Sequence, residues 1–138
     1  MRVFLDANIL FSASLPKSQL AHFLEGLGDH ATLLSNAYAC EEAERNLASK
    51  FPKGLPAFHR LSKGLELVPV GLFDLGVRLA AKDQPILCGA VAGKAEYLLT
   101  GDKKDFGHLF GESVRGVTVV TVELLLNELI DQGIVQTD

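Results

Sequence analysis

Asp6, Asp83, Asp102 and Asp105 each stand where an apolar run ends or a helix can begin, and Glu42 lies in a helical stretch beside Glu41 and Glu44. Carboxylates that converge on one point repel each other, and at least one is driven toward protonation. A divalent cation removes that conflict. Donors that are all oxygen, with no histidine or cysteine beside them, suit the hard cations Mg²⁺ and Mn²⁺. A pair of such ions roughly 4 Å apart can activate a water and stabilise the leaving oxygen of an in-line phosphoryl displacement.

Each acid also has an ordinary structural reading. Asp6 follows an apolar run and can be a helix N-cap or a turn residue. Asp83 precedes Gln84-Pro85-Ile86-Leu87 and is a good N-cap, although a capping aspartate still has a free oxygen to offer. Asp102 and Asp105 fit a turn followed by a helix cap, with Gly101 allowing close backbone approach. On a helix Glu42 shares a face with Tyr38, Ala39 and Asn46, whereas Glu41 neighbours Ala37, Glu44 and Arg45. A carboxylate on the less polar face needs a partner or a metal, which favours Glu42 over a merely solvated role.

Other chemistries find little support. His22, His30, His59 and His108 have no serine or cysteine at a motif spacing, and Ser12, Ser14 and Ser35 lack a nucleophile elbow. There is no Gly-rich phosphate loop. Cys40 and Cys88, the two cysteines, lack the spacing of a zinc site or a disulfide framework and read as small apolar residues.

The elements that must position these acids alternate between strand and helix. Strands are expected at 2–5, 31–34, 65–70, 97–100 and 117–120. Helices are expected at 18–27, from a Ser35 or Asn36 cap toward Ser49, at 57–62, 73–81, 85–93 and 105–110, and from Thr121 to about residues 131–133. The segment Phe51-Pro52-Lys53-Gly54-Leu55-Pro56 should break the second of these runs. Such alternation implies a parallel sheet covered on both faces, a three-layer α/β/α sandwich, and 138 residues suit a single domain spanning 1–138. In such folds the functional crevice lies outside the carboxyl ends of the strands. Asp6 directly follows the first strand and Gly101-Asp102 the 97–100 strand, so two acids far apart in sequence should meet at one end of the sheet.

The order of these segments resembles the motifs of PIN-domain nucleases. They are Val3-Phe4-Leu5-Asp6-Ala7-Asn8-Ile9-Leu10, Glu42 with Leu47, Asp83-Gln84-Pro85-Ile86-Leu87 with Ala90, and Leu98-Leu99-Thr100-Gly101-Asp102-Lys103-Lys104-Asp105-Phe106. The resemblance spans nearly the whole chain, and the last motif is the most specific. It implies a PIN-like fold and a ribonuclease that hydrolyses RNA phosphodiester bonds with a metal-activated water. It implies catalytic, metal-binding acids at Asp6, Glu42, Asp83 and Asp102, with Asp105 as an auxiliary ligand and Mg²⁺ or Mn²⁺ as cofactor. Asn8, Thr100, Lys103 and Lys104 become substrate-binding residues, Asn8 and Thr100 as supporting polar groups and Lys103 and Lys104 beside the site. The doubled Glu41-Glu42 departs from the motif and leaves the glutamate open by one residue. Small proteins of this kind resemble the toxin ribonucleases of toxin–antitoxin pairs, which implies an antitoxin partner and a homodimer.

The formal net charge of −4 argues against nonspecific binding to nucleic acid, but the charges are unevenly placed. Set aside Asp6, Glu42, Asp83 and Asp102, and 13 of the 17 acidic residues remain against 13 basic ones, so the excess sits in the proposed site. Arg45, Lys50, Lys53, Arg60 and Lys63 lie in one stretch with no acid between them, either an RNA-facing surface or a solvated face. No apolar run is long enough for a membrane span, and Asp6 interrupts the opening apolar residues, unlike a signal peptide, so a cytoplasmic location is expected. Two rivals remain. One is a phosphohydrolase with Asp6 as covalent nucleophile, which would want an acid where Asn8 stands. The other is a PIN-like scaffold that binds RNA or protein without catalysis, which would have no need of all four acids.

Overall fold

The computed structural model describes residues 1–135. Among them are six strands, β1 (Arg2–Leu5), β2 (Thr32–Asn36), β3 (Glu66–Val68), β4 (Tyr97–Leu99), β5 (Ser113–Val114) and β6 (Val117–Val120). Seven α-helices alternate with them: α1 (Ala7–Ala13), α2 (Gln19–Leu27), α3 (Ala37–Lys50), α4 (Leu55–Lys63), α5 (Gln84–Ala92), α6 (Lys103–Phe106) and α7 (Val122–Asp131). The strands form one sheet in the order β3-β2-β1-β4-β6-β5. All neighbours are parallel except β5, a two-residue edge strand antiparallel to β6.

Val3, Phe4 and Leu5 on β1 are buried without a break, as are Tyr97, Leu98 and Leu99 on β4. Successive side chains of a strand point to opposite faces, so both faces of the central strands are covered, as a parallel sheet requires. The apolar residues of all the layers form one contiguous cluster around Phe4, Leu34, Leu98, Leu99 and Phe106. Each such side chain contributes about 1.5–3 kcal/mol through burial. The helix α5 lies very close to the sheet: a Cβ on Gly89 would meet Asn36 Nδ2 at 2.6 Å and the Phe4 ring at 2.9 Å. Asn36 uses this proximity twice, capping α3 through Ala39 N–H at 2.9 Å and donating to Pro85 O at 3.1 Å.

Several expected elements differ. The helix α1 was not among them, because a seven-residue helix carrying Asn8 and Ser12 shows barely two turns of pattern. The break after α3 is real but short, a single 3-10 turn at Pro52–Gly54, and α4 starts before the expected residue 57. The strand expected at 65–70 is only Glu66–Val68, and the helix expected at 105–110 is split between α6 and a 3-10 turn at Gly107–Leu109.

No helix forms at 73–81. Leu75 and Leu79 point inward with the four-residue spacing of a helix, but Gly76 takes a positive φ of 73° and interrupts it. The carbonyls a helix would use are taken by other elements: Arg115 donates to Asp74 O at 2.6 Å, His108 Nε2 to Arg78 O at 2.8 Å and Gln84 to Leu79 O at 3.2 Å. Residues 69–83 are thus an irregular strap, held by side chains, that delivers Asp83 to the start of α5.

Candidate functional site

From β1 the chain moves to β2 on one side, and from β4 to β6 on the other, so the sheet order reverses between β1 and β4. That is where an open α/β sheet leaves a crevice at its carboxyl end. The Asp6 N–H donates to Leu99 O at 3.1 Å and stitches the two strand ends together there. A cleft of about 270 Å³ opens above them, walled by Asp6, Asn8, Glu42, Asn46, Asp83 and Asp102, with Lys50 and Lys82 on its sides.

Asp6 is only 4% exposed, and both its oxygens are engaged. Oδ1 accepts from Ala7 N–H at 2.6 Å, capping α1, while Oδ2 accepts from the Thr100 hydroxyl at 2.8 Å and from Asn8 Nδ2 at 3.1 Å. Thr100 is the hub: its Oγ1 also accepts from Asn8 Nδ2 at 3.2 Å and from Asp102 N–H at 3.1 Å. Asn8 closes the ring by accepting from Gly101 N–H at 2.8 Å. Burial pushes the Asp6 carboxyl up to about 6, the hydrogen bonds from Thr100 and Ala7 hold it back, and the charges of Glu42 and Asp102 push it further up.

Asp83 has the opposite surroundings. It occupies the cap position of α5 yet makes no cap hydrogen bond, and its buried Oδ2 has no hydrogen-bond partner among the described residues. Its carboxyl is also pushed up to about 6, by burial first and then by the Asp105 charge, with Lys82 opposing. A buried acceptor without a partner costs about 1–3 kcal/mol, more when charged. Asp83, Asp102 and Asp105 each offer an oxygen, and these atoms all lie within 4.8 Å of one another. An orphaned buried carboxylate oxygen, inside a set of donors that are all oxygen, fits a hard divalent cation. Asp102 spends Oδ1 on the Asp105 N–H at 3.0 Å, capping α6. Asp105 pairs with Lys82 at 2.8 Å, which holds its carboxyl below the usual carboxylate range.

On α3, Glu42, Asn46 and Lys50 recur every fourth residue and form one stripe facing the cleft. Glu41 is exposed and does not line it, which separates the two glutamates by position. The Tyr38 hydroxyl, from the same helix, donates to Lys82 O at 2.6 Å and fixes the end of the strap.

The structure departs from the expected substrate contacts in three places. Thr100 has no exposed surface and does not line the cleft; its hydroxyl is spent on Asp6. Lys103 and Lys104 are exposed on α6 and do not line the cleft either. Of the basic stretch, only Lys50 lines it, and Arg60 lines a separate groove between α2 and α4. Sequence reasoning passed over Lys82, although a cation next to Asp83 was a visible signal, and named Asn46 only as a neighbour of Glu42 on its helix face.

No protein-family model matches the sequence, and a search of curated proteins finds no match. Solved structures do share the fold. One is VapBC2 from Rickettsia felis bound to a DNA fragment from their promoter, at TM-score 0.66 and 19% identity over 88% of this chain and 98% of that one. Another is VapBC-1 from nontypeable Haemophilus influenzae, at TM-score 0.53 and 16% identity over 78% of this chain and 91% of that one. The architecture is the PIN-like α/β/α fold, with one antiparallel strand at the edge of an otherwise parallel sheet.

Proposed function

We propose that this chain is a divalent-metal-dependent ribonuclease that hydrolyses RNA phosphodiester bonds. The observation that carries the reading is the Asp83 carboxylate: its buried Oδ2 has no partner among the described residues, and one of its oxygens lies within 4.8 Å of ligand atoms from Asp102 and Asp105. Mg²⁺ or Mn²⁺ would be held by Asp83 and Asp102, with Asp6 and Glu42 completing the acidic wall and Asp105 beside them. Bound there, the ion supplies Lewis acidity, lowering the pKa of water toward neutrality and offsetting the charge of the phosphate.

The chain's own groups do the rest. Thr100 and Asn8 fix Asp6 in one rotamer, so the wall is formed before any ligand arrives. Glu42 faces the cleft from α3, where it can orient a water by accepting its hydrogen bond. Asn46 and Lys50, one and two turns further along, offer a neutral donor and a cation to the phosphate backbone. Lys82 lines the cleft too, and its ammonium, paired with Asp105, lowers the net negative charge there. Without these, an acidic cleft would repel a polyanion.

The likeness to structures of VapBC assemblies, one of them with promoter DNA, supports a further assignment. This chain is the nuclease of a toxin–antitoxin pair, with an antitoxin protein as partner, a homodimer as its assembly and the cytoplasm as its compartment. Among the described residues no helix is long and apolar enough to cross a membrane. A small adjacent reading frame encoding a DNA-binding protein, and its co-purification with this chain, would test the pairing. The activity itself is tested with purified protein and a single-stranded RNA. Cleavage that stops in EDTA and returns with Mn²⁺ supports the proposal, and cleavage indifferent to EDTA overturns it.

A further inference from the structure

Lys82 lines the cleft and is anchored at both ends, main chain and ammonium. Its main chain is pinned by the Tyr38 hydroxyl on Lys82 O at 2.6 Å, and it immediately precedes Asp83 in sequence. Its ammonium lies 2.8 Å from Asp105 Oδ2, the distance of a direct charge-assisted hydrogen bond. Asp105 is the better buried partner, with 15% of its side chain exposed against 64% for Lys82. The three carboxylates whose ligand atoms cluster, Asp83, Asp102 and Asp105, carry three negative charges, and Lys82 cancels one of them; Asp6 and Glu42 line the same cleft but stand outside this cluster, and Asp6 already has both oxygens hydrogen-bonded. What remains of the cluster's charge matches one divalent cation. A second would have to share Asp105 with an ammonium already seated on it, and cations a few ångströms apart repel.

We propose that Lys82 is a resident cation that sets the metal stoichiometry of this site: it occupies Asp105 and limits the cleft to one divalent ion, bound at Asp83 and Asp102. The second ion of a two-metal arrangement is thereby replaced by a side chain delivered from the strap. Asp105 then belongs to the lysine, and the orphaned Asp83 Oδ2 belongs to the ion. The inference rests on the metal-dependent reading above and adds the number of ions and the residue that decides it.

The experiment is a calorimetric titration of Mn²⁺ into EDTA-stripped, desalted full-length protein. Wild type should bind one Mn²⁺ per chain. Lys82→Ala and Lys82→Met should bind two, because each frees Asp105, and Lys82→Arg should again bind one. The methionine variant keeps the apolar stem of the side chain, so the outcome does not depend on one substitution alone. Native mass spectrometry of the same samples counts the ions independently. Two ions on the wild type, or one ion on both Lys82→Ala and Lys82→Met, would overturn the inference while leaving the metal-dependent nuclease reading in place. No Mn²⁺ on the wild type at all would overturn both.

Discussion

The Thr100 hydroxyl, with none of its surface exposed, donates to Asp6 Oδ2 at 2.8 Å and ties the end of β4 to the end of β1. Thr100→Val keeps the shape and removes this bond, together with the acceptor for Asp102 N–H and Asn8 Nδ2. Leaving buried polar groups unsatisfied should destabilise the protein by about 1–3 kcal/mol. It should also raise the Asp6 carboxyl further, since the Thr100 bond is what lowers it most, so Mn²⁺ affinity at pH 6 should fall. Thr100→Ser should restore both. Urea unfolding and Mn²⁺ titration check this; a Thr100→Val protein as stable and as metal-avid as wild type would contradict it.

Asp6 and Asp83 both have carboxyls raised to about 6 in the folded chain. The unfolded value is about 3.9, so between roughly pH 4 and pH 6 the native state binds more protons than the unfolded one. Stability of the metal-free protein should therefore fall as pH rises through that window and level off above about pH 7. The buried Asp6 alone accounts for on the order of 2–3 kcal/mol, with a smaller, solvent-screened share from Asp83. Mn²⁺, which needs the ionised forms, should reverse the trend. Unfolding free energies measured in EDTA from pH 5 to pH 8 check the sign; stability that climbs over this range would count against two raised acids.

The same two acids should respond oppositely to amide substitution. Asp83→Asn removes a buried charge from an oxygen with no partner, so in EDTA at pH 8 it should stabilise the protein by about 1 kcal/mol or more. Asp6→Asn puts an amide where both oxygens accept hydrogen bonds and should destabilise it by about 1–3 kcal/mol. Thermal unfolding of the two variants side by side reads the difference, and shifts of the same sign would contradict the hydrogen-bond pattern described.

Much of this arrangement was legible in the sequence, and what was not has physical reasons. The strands β1, β4 and β6 are dominated by apolar and β-branched residues, and the acids at the ends of β1 and β4 followed from the crevice rule. The helix expected at 73–81 failed because inward Leu75 and Leu79 imitate helical periodicity around a Gly76 that breaks it, while Leu72 and Phe73 stay exposed. Thr100 reads from sequence as a polar residue at a strand end; only burial shows that it serves Asp6 and not a substrate. The missing cap bond at Asp83 is equally invisible in sequence, because Asp before Gln-Pro is an ordinary cap signal. Lys82 was overlooked because its partner Asp105 lies on the other side of α5 in sequence and meets it only through the fold of the strap.

Lys50 and Arg60 belong to one basic stretch but line different surfaces, so they should differ in RNA binding. In Ca²⁺, which should support binding without turnover, Lys50→Ala should reduce the slope of log affinity against log salt by about 0.7 for a single-stranded RNA. Arg60→Ala should leave the slope unchanged. Equal losses from the two variants would mean that RNA runs along the whole stretch, and no loss from Lys50→Ala would mean that it enters by another route.

The most direct measurement is the rate of RNA cleavage as a function of Mn²⁺ concentration, for wild type and for Asp83→Asn, with the folded fraction of each matched by circular dichroism. A carboxylate that the fold leaves without a partner should be there for the ion, so the wild-type rate should rise with Mn²⁺ and saturate. The Asp83→Asn rate should be lower by about a hundredfold or more at every concentration, because a neutral amide is a poor ligand for a hard cation. A wild-type rate that does not depend on Mn²⁺, or an Asp83→Asn protein that cuts as fast as wild type, would contradict the account.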